Sequence, residues 1–248
     1  MTKPEPGRIN SIVVVMPAHN EDRHIGKALA ALKTAADALQ RQQPGIKVSI
    51  SVVLDSCTDR SAGITAAYAS SDPRFSAVNV KLRSTGASRD SGIRAALDRL
   101  PADGTANTWV ATTDADSTVP EHWLVRQVEL ANAGADAILG SVEPDPEDVD
   151  PAVLGRWLEL HPFLEDHPHI YGANLGIRAS AYVAAGGFPK LRSHEDRVLI
   201  ERLHRHGFVV TATDTTRVVT SGRMQARAPE GFAAYLRALG AELPAATG

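Results

Sequence analysis

The chain has 248 residues, a formal net charge of −3, 43% hydrophobic and 22% charged residues, the composition of a globular protein long enough to bury a substantial core. No apolar run approaches the roughly 20 residues that cross a bilayer as a helix, and the slightly acidic balance argues against the concentrated basic surface that a nucleic-acid backbone demands. Neither a membrane span nor a nucleic-acid partner is expected. The single cysteine, Cys57, has no internal disulfide partner, which fits a reducing compartment. The opening MTKPEPGRINS lacks the apolar stretch of a secretory signal and reads as a short disordered leader on a cytoplasmic protein.

In chain order, SIVVVM (11–16), VSISVVL (48–54), FSAVNVKL (75–82), TWVATT (108–113) and DAILGSV (136–142) are short apolar runs rich in β-branched residues, each predicted as a strand. Between the first two, Ile25, Leu29, Leu32, Ala36 and Leu39 recur at spacings of four and three, one face of a helix. Further helices are predicted at 60–70, around Ile93, Leu97 and Leu100, and at 121–132 after Pro120, a favourable first-turn residue. EPDPEDVDP (143–151) reads as a solvated acidic connector. Beyond it the pattern is irregular. A helix is predicted at 151–164, then a His/Pro-rich loop, YGANLGIR leading into the helix ASAYVAA, a helix at 195–206, short strands at 208–213 and 216–220, and a terminal helix at 229–239. No linker is long enough to separate two units, so residues 1–248 are expected to form one domain.

Alternating strands and helices call for an α/β fold with a mostly parallel central sheet flanked by helices, and such sheets bind ligands at the carboxyl ends of their strands. The strand exits are PAHNED (17–22), DSCTDRS (55–61), RSTGASRD (83–90) and DADST (114–118); all are polar and all carry acids. Asp114 and Asp116, two residues apart at a strand end, point to the same side and suit one hard cation, Mg²⁺ or Mn²⁺, completed by phosphate and water. An Asx turn with a helix cap from Ser117 or Thr118 would use the same letters. No exit carries a glycine-rich phosphate cradle.

Six of these segments, VVVMPAHNE, VVLDSCTDRS, GASRDSGIRAA, TTDADS, GANLGIRASAYVAAGGF and HEDRVLIERLHRHG, resemble in order and spacing the motifs of glycosyltransferase family 2, over roughly residues 10 to 210. The resemblance implies a GT-A (Rossmann-like) fold with a nucleotide-sugar-binding half at 10–142 and a smaller, mixed acceptor and catalytic half at 143–248. It implies that Pro17, Asn20 and Glu21 form the first nucleotide-binding turn, that Asp55 contacts the base, and that Arg89 lies near the nucleotide. Leu54 stands where the family has a first aspartate, a departure that bears on base contacts. Asp114 and Asp116 correspond to the D-x-D that binds ribose and metal, and Glu195 and Asp196 to the E-D whose aspartate is the catalytic base. In isolation that acidic pair could equally complement a helix dipole.

Gly172 and Asn174 resemble the segment lining the donor–acceptor pocket, although Asn174 could instead be a satisfied interior amide. Arg223 and Arg227 suit a diphosphate or a solvated surface. His161, His167 and His169 match no zinc spacing. The implied activity is an inverting, metal-dependent transfer of a sugar from a nucleoside-diphosphate donor, UDP-linked before GDP-linked, to an acceptor hydroxyl whose identity stays open, as does homodimerisation. A sugar-phosphate nucleotidyltransferase and a non-catalytic nucleotide-sugar-binding domain are the alternatives.

Overall fold

β1 (Ser11–Ala18) shows how the sheet is built. Ile12, Val14 and Met16 enter one core cluster and Val13 and Val15 the other, so a continuous apolar run is what a strand buried on both faces requires. The computed structural model describes residues 7–101, 104–191, 194–223 and 231–242. α1 (Ile25–Gln42), β2 (Lys47–Asp55), α2 (Ser61–Ser71), β3 (Phe75–Val80), α3 (Thr85–Leu97) and β4 (Thr108–Thr112) follow in alternation. Then come β5 (Ser117–Thr118), α4 (Trp123–Asn132), β6 (Ala137–Pro144), α5 (Pro151–Leu160), β7 (Leu175–Arg178), α6 (Ala179–Ala184), α7 (Glu195–Arg205), β8 (Val210–Thr220) and α8 (Phe232–Glu242).

One eight-stranded sheet runs in the order β3-β2-β1-β4-β7-β6-β8-β5. β1 pairs in parallel with β2 and β4, and β6 with β8, whereas β7 is antiparallel to both β4 and β6 and β5 is antiparallel to β8. The sheet is therefore mostly parallel, as expected, with two reversed strands. α1, α2 and α4 cover one face around Leu29, Trp109 and Trp123; α3, α6 and α7 cover the other around Ile93, Tyr182 and Leu199. A fully buried aliphatic side chain such as Leu29, Ile93 or Leu199 contributes about 1.5–3 kcal/mol. A third cluster joins α5 to α8 around Trp157 and Leu236. Among the described residues no helix is long and apolar enough to cross a membrane.

Several boundaries differ from the sequence expectation for physical reasons. The two short strands at 208–213 and 216–220 are one strand, β8, because its pairing with β6 continues past a register shift between Gly140 and Val142. α5 stops at Leu160 rather than 164: the ring of His161 folds back to stack on Trp157, with centroids 3.6 Å apart. α3 ends at Leu97, leaving Leu100 beyond the helix. Part of the expected leader is packed, since Ile9 is buried, its N–H donates to Asn132 Oδ1 at 2.9 Å, and that of Asn10 donates to Asn107 O at 3.0 Å; residues 1–6 lie outside the described residues. The acidic connector is not fully solvated either, because Val149 is buried and Ser221 Oγ donates to Asp148 at 2.8 Å. The first residues of the terminal helix expected at 229–239, 229 and 230, also lie outside the described residues.

Candidate active site

Arg89, on the second turn of α3, is 3% exposed. Its Nη1 donates to Glu195 Oε1 at 3.2 Å and its Nη2 to Asp114 Oδ1. Burial works against the charged guanidinium, but the surrounding Asp114, Glu195 and Asp196 outweigh it and hold its pKa above the ordinary arginine value. Two glycines make room for this pair. A Cβ on Gly86 would lie 2.8 Å from Glu195 Cδ, and one on Gly172 would lie 2.5 Å from Arg89 Nη1. The glycines of GASRDSG and GANLGIR thus serve close packing around one ion pair.

Asp196, beside Glu195 in the first turn of α7, is half-buried. Its Oδ2 accepts the Gly172 N–H at 3.0 Å and its Oδ1 accepts the Arg197 N–H at 2.8 Å. The helix-terminus reading and the site reading are therefore compatible, since the acidic first turn is also the turn that meets Arg89.

The two acids of DADST are held by different arginines. Asp114 is paired with Arg89, while Asp116 Oδ2 lies 2.8 Å from Arg223 Nη2. Arg223 simultaneously forks onto Glu21, with both nitrogen-to-oxygen distances 2.8 Å, and Glu21 is itself buried at the β1 exit, its N–H donating to Ser61 Oγ at 2.8 Å. Arg227, the other arginine of that segment, lies outside the described residues. Burial, together with the charges of Asp114 and Glu21, pushes the Asp116 carboxyl up to about 7 against the opposing influence of Arg223. A site so rich in carboxylate oxygen fits a hard divalent cation. Among the described residues no group of three or more His, Cys, Asp or Glu is arranged to hold a metal, so Asp114 and Asp116 would have to share the ion with phosphate and water.

The raised Asp116 has a consequence for stability. Between the ordinary value of 3.8 and about 7 the folded chain holds a proton that the unfolded chain has released, so stability falls as pH rises through that window. In metal-free solution, Asp116→Asn is expected to melt close to the parent at about pH 4 and above it at about pH 8. A melting-temperature difference that does not grow with pH would contradict this origin of the shift.

Other predicted residues are committed within the protein. The Asp55 carboxylate accepts from Leu82 N at 2.9 Å, Ser84 N at 3.1 Å and Ser88 Oγ at 2.9 Å, tying the loop after β3 to the β2 exit. Burial raises its pKa, but these bonds, with one from the Arg83 backbone, prevail and hold it low. Asn20 sits in the left-handed region at φ 54°, which Asn tolerates, and its Oδ1 accepts Thr58 N at 2.8 Å. Pro17 is buried in β1, opposite Val53. Asn174 is an interior amide: Nδ2 donates to Ser141 O at 2.8 Å and Thr216 O at 2.7 Å, and Oδ1 accepts from Trp123 Nε1 at 2.9 Å. It bridges β6 and β8 at a place where a Cβ on Gly140 would collide with it. Sequence reasoning missed Gly86, Ser88 and Thr112, whose Oγ1 donates to Gly172 O at 2.9 Å; for the first two, the small residues of GASRDSG were the available signal.

The family model described as glycosyl transferase family 2 matches residues 13–184, more than half of the chain. A sequence search of curated proteins gives no significant match. Among solved structures, the chain is similar to the mannosyltransferase PcManGT from Pyrobaculum calidifontis in complex with GDP-Man and Mn²⁺, at 21% identity and TM-score 0.61, covering 95% of this chain and 63% of that one. It is similar to glucosyl-3-phosphoglycerate synthase from Mycobacterium tuberculosis in complex with Mn²⁺, UDP and glucosyl-3-phosphoglycerate, at 15% identity and TM-score 0.55, over 94% of this chain and 78% of that one. It also resembles S. aureus TarS 1-349, at 13% identity and TM-score 0.59, over 86% of this chain and 61% of that one. The chain thus spans less than two thirds of the TarS fragment and of the mannosyltransferase. By its sequence match this chain belongs to glycosyl transferase family 2, and by its architecture it has the GT-A fold.

Proposed function

We propose that the chain transfers a sugar from a nucleoside-diphosphate donor to an acceptor hydroxyl in a single displacement that inverts the anomeric carbon. The observation that carries this reading is the meeting of Asp114, Glu195 and Asp196 around the buried Arg89, beside Asp116, Glu21 and Arg223. One end offers a half-buried carboxylate fixed on both oxygens; the other offers carboxylates and a guanidinium suited to a diphosphate.

In this reading Asp196 removes the acceptor proton as the hydroxyl oxygen attacks. Gly172 and Arg197 orient it through their N–H groups. Glu195 acts through Arg89, fixing the first turn of α7 against α3. Asp114 faces the ribose and the diphosphate, Arg223 exchanges its carboxylate partners for phosphate oxygens, and Pro17, Asn20 and Asp55 shape the base end. A divalent ion held by Asp116 and Asp114 would stabilise the charge on the departing diphosphate. Mn²⁺ accompanies GDP-Man in the Pyrobaculum enzyme and UDP in the mycobacterial one; UDP is proposed for this chain, with GDP as the alternative.

The test is a thermal-shift panel of UDP, GDP and dTDP with and without Mn²⁺. The cognate nucleotide should stabilise the protein in a metal-dependent way, by about 2.7 kcal/mol at a hundredfold excess over its Kd. If no nucleotide raises the melting temperature in the presence of Mn²⁺, the donor site is misassigned. Product analysis follows: nucleoside diphosphate release marks the transferase, pyrophosphate release from NTP and sugar phosphate the nucleotidyltransferase.

A further inference from the structure

A cavity of about 500 Å³ opens between α7, strands β6 and β8, and the segment 166–170, a size within the usual range for small-molecule sites. Leu139, Ile200, Val210 and Ala212 give it an apolar floor, and Asp166, His167, Arg197, Glu201 and His204 a polar rim. Arg197, Ile200, Glu201 and His204 follow the spacing of one helical stripe, so α7 presents a single face to the cavity. Arg197 directly follows Asp196, and the 166–170 segment runs on to Gly172, whose N–H is bound by Asp196. The cavity lining therefore comes within one residue of Asp196 along α7 and within two of Gly172 along the chain.

His167 is the polar group of this cavity that its protein neighbours leave open to a further partner. It is 6% exposed and neither ring nitrogen has a hydrogen-bond partner. An imidazole carries at least one N–H donor, and buried polar groups are nearly always satisfied by protein, water or ligand. The rim offers both hydrogen-bonding signs: Asp166 and Glu201 accept, Arg197 donates, and the two imidazoles can do either. The rim's two carboxylates outnumber its one guanidinium, which counts against an anion. A sugar ring matches the whole set, because its C–H face suits the apolar floor and its vicinal hydroxyls both donate and accept.

We propose that this cavity holds the acceptor, and that the acceptor presents a neutral sugar ring there, bound by His167, Glu201 and Arg197. This rests on the transferase reading only in naming the ring as acceptor. The test titrates ¹⁵N-labelled full-length protein with free glucose, galactose, mannose and N-acetylglucosamine, and in separate arms with glycerate and inorganic phosphate, while following the ring signals of His167 and His204. At least one monosaccharide should shift them saturably. Glu201→Gln, at an exposed position, and His167→Ala should each weaken that binding about tenfold or more, which is about 1.4 kcal/mol, with stabilisation by nucleotide and Mn²⁺ unchanged.

The inference is overturned if no monosaccharide shifts these signals, if only glycerate or phosphate does, or if Glu201→Gln leaves the titration unaltered. Should His167→Ala fail to fold, Glu201→Gln alone decides. Nucleotide stabilisation without a sugar response would sink this inference and spare the donor site. A sugar response without nucleotide stabilisation would leave a sugar site and remove the transferase reading.

Discussion

Asp196→Asn is expected to lower turnover by about 10²–10⁴-fold, the range in which general base catalysis contributes, while leaving nucleotide-dependent stabilisation in place. The substitution keeps the size of the side chain but removes its basicity. It also converts one acceptor into a donor, so one of the two N–H groups that Asp196 now satisfies, those of Gly172 and Arg197, loses its partner. A stability loss of about 1 kcal/mol should accompany the kinetic loss. That is too small to explain the expected drop in rate if the protein remains folded at assay temperature. Single-turnover release of the nucleoside diphosphate in the presence of acceptor is the deciding measurement. A folded variant with turnover within about threefold of the parent would remove Asp196 from the base role, and the acidic first turn of α7 would revert to a helix-terminus feature.

The parts of this molecule legible in the sequence are those set by local pattern. Runs such as SIVVVM could be read as strands because both faces are buried, and the spacing in α1 gave its buried stripe. The strand-exit rule then places Glu21, Arg89, Asp114 and Asp116 at one edge from the sequence alone.

Pairings between distant positions were not legible. Nothing local indicates that Arg223 forks onto Glu21, 202 residues away, or that Arg89 reaches Glu195, 106 residues away. That is why the expectation that Asp114 and Asp116 face one cation did not include the separate arginine that each of them meets. The same limit applies to Asn174. A G-x-N motif is compatible with a ligand contact, and only the positions of Ser141, Thr216 and Trp123 reveal that its amide is already used. The reversed strand β7 was equally hidden, because its four residues are too few to carry a direction.

Arg89→Met is expected to cost about 3–5 kcal/mol, the penalty for breaking a buried ion pair from one side. Met approximates the aliphatic stem, so most of the loss falls on the charge. Glu195, 8% exposed and wedged against Gly86, would lose its counter-ion, and Asp114, Glu195 and Asp196 would repel one another without the cation that their combined charge now favours. For a chain of this size about 2–4 °C of melting temperature corresponds to each kcal/mol, so a fall of roughly 6–20 °C is expected. Arg89→Lys should not rescue it. The two acids are bound through separate guanidinium nitrogens, a fork that a single ammonium on a shorter reach does not reproduce. Adding Glu195→Gln to Arg89→Met should restore part of the loss, because it removes the buried charge left behind, and the double-mutant cycle measures the coupling. A melting temperature for Arg89→Met within about 2 °C of the parent, or no recovery in the double variant, would mean that this ion pair does not organise the site. Loss of nucleotide-dependent stabilisation in the folded fraction would tie the same pair to donor binding through Asp114.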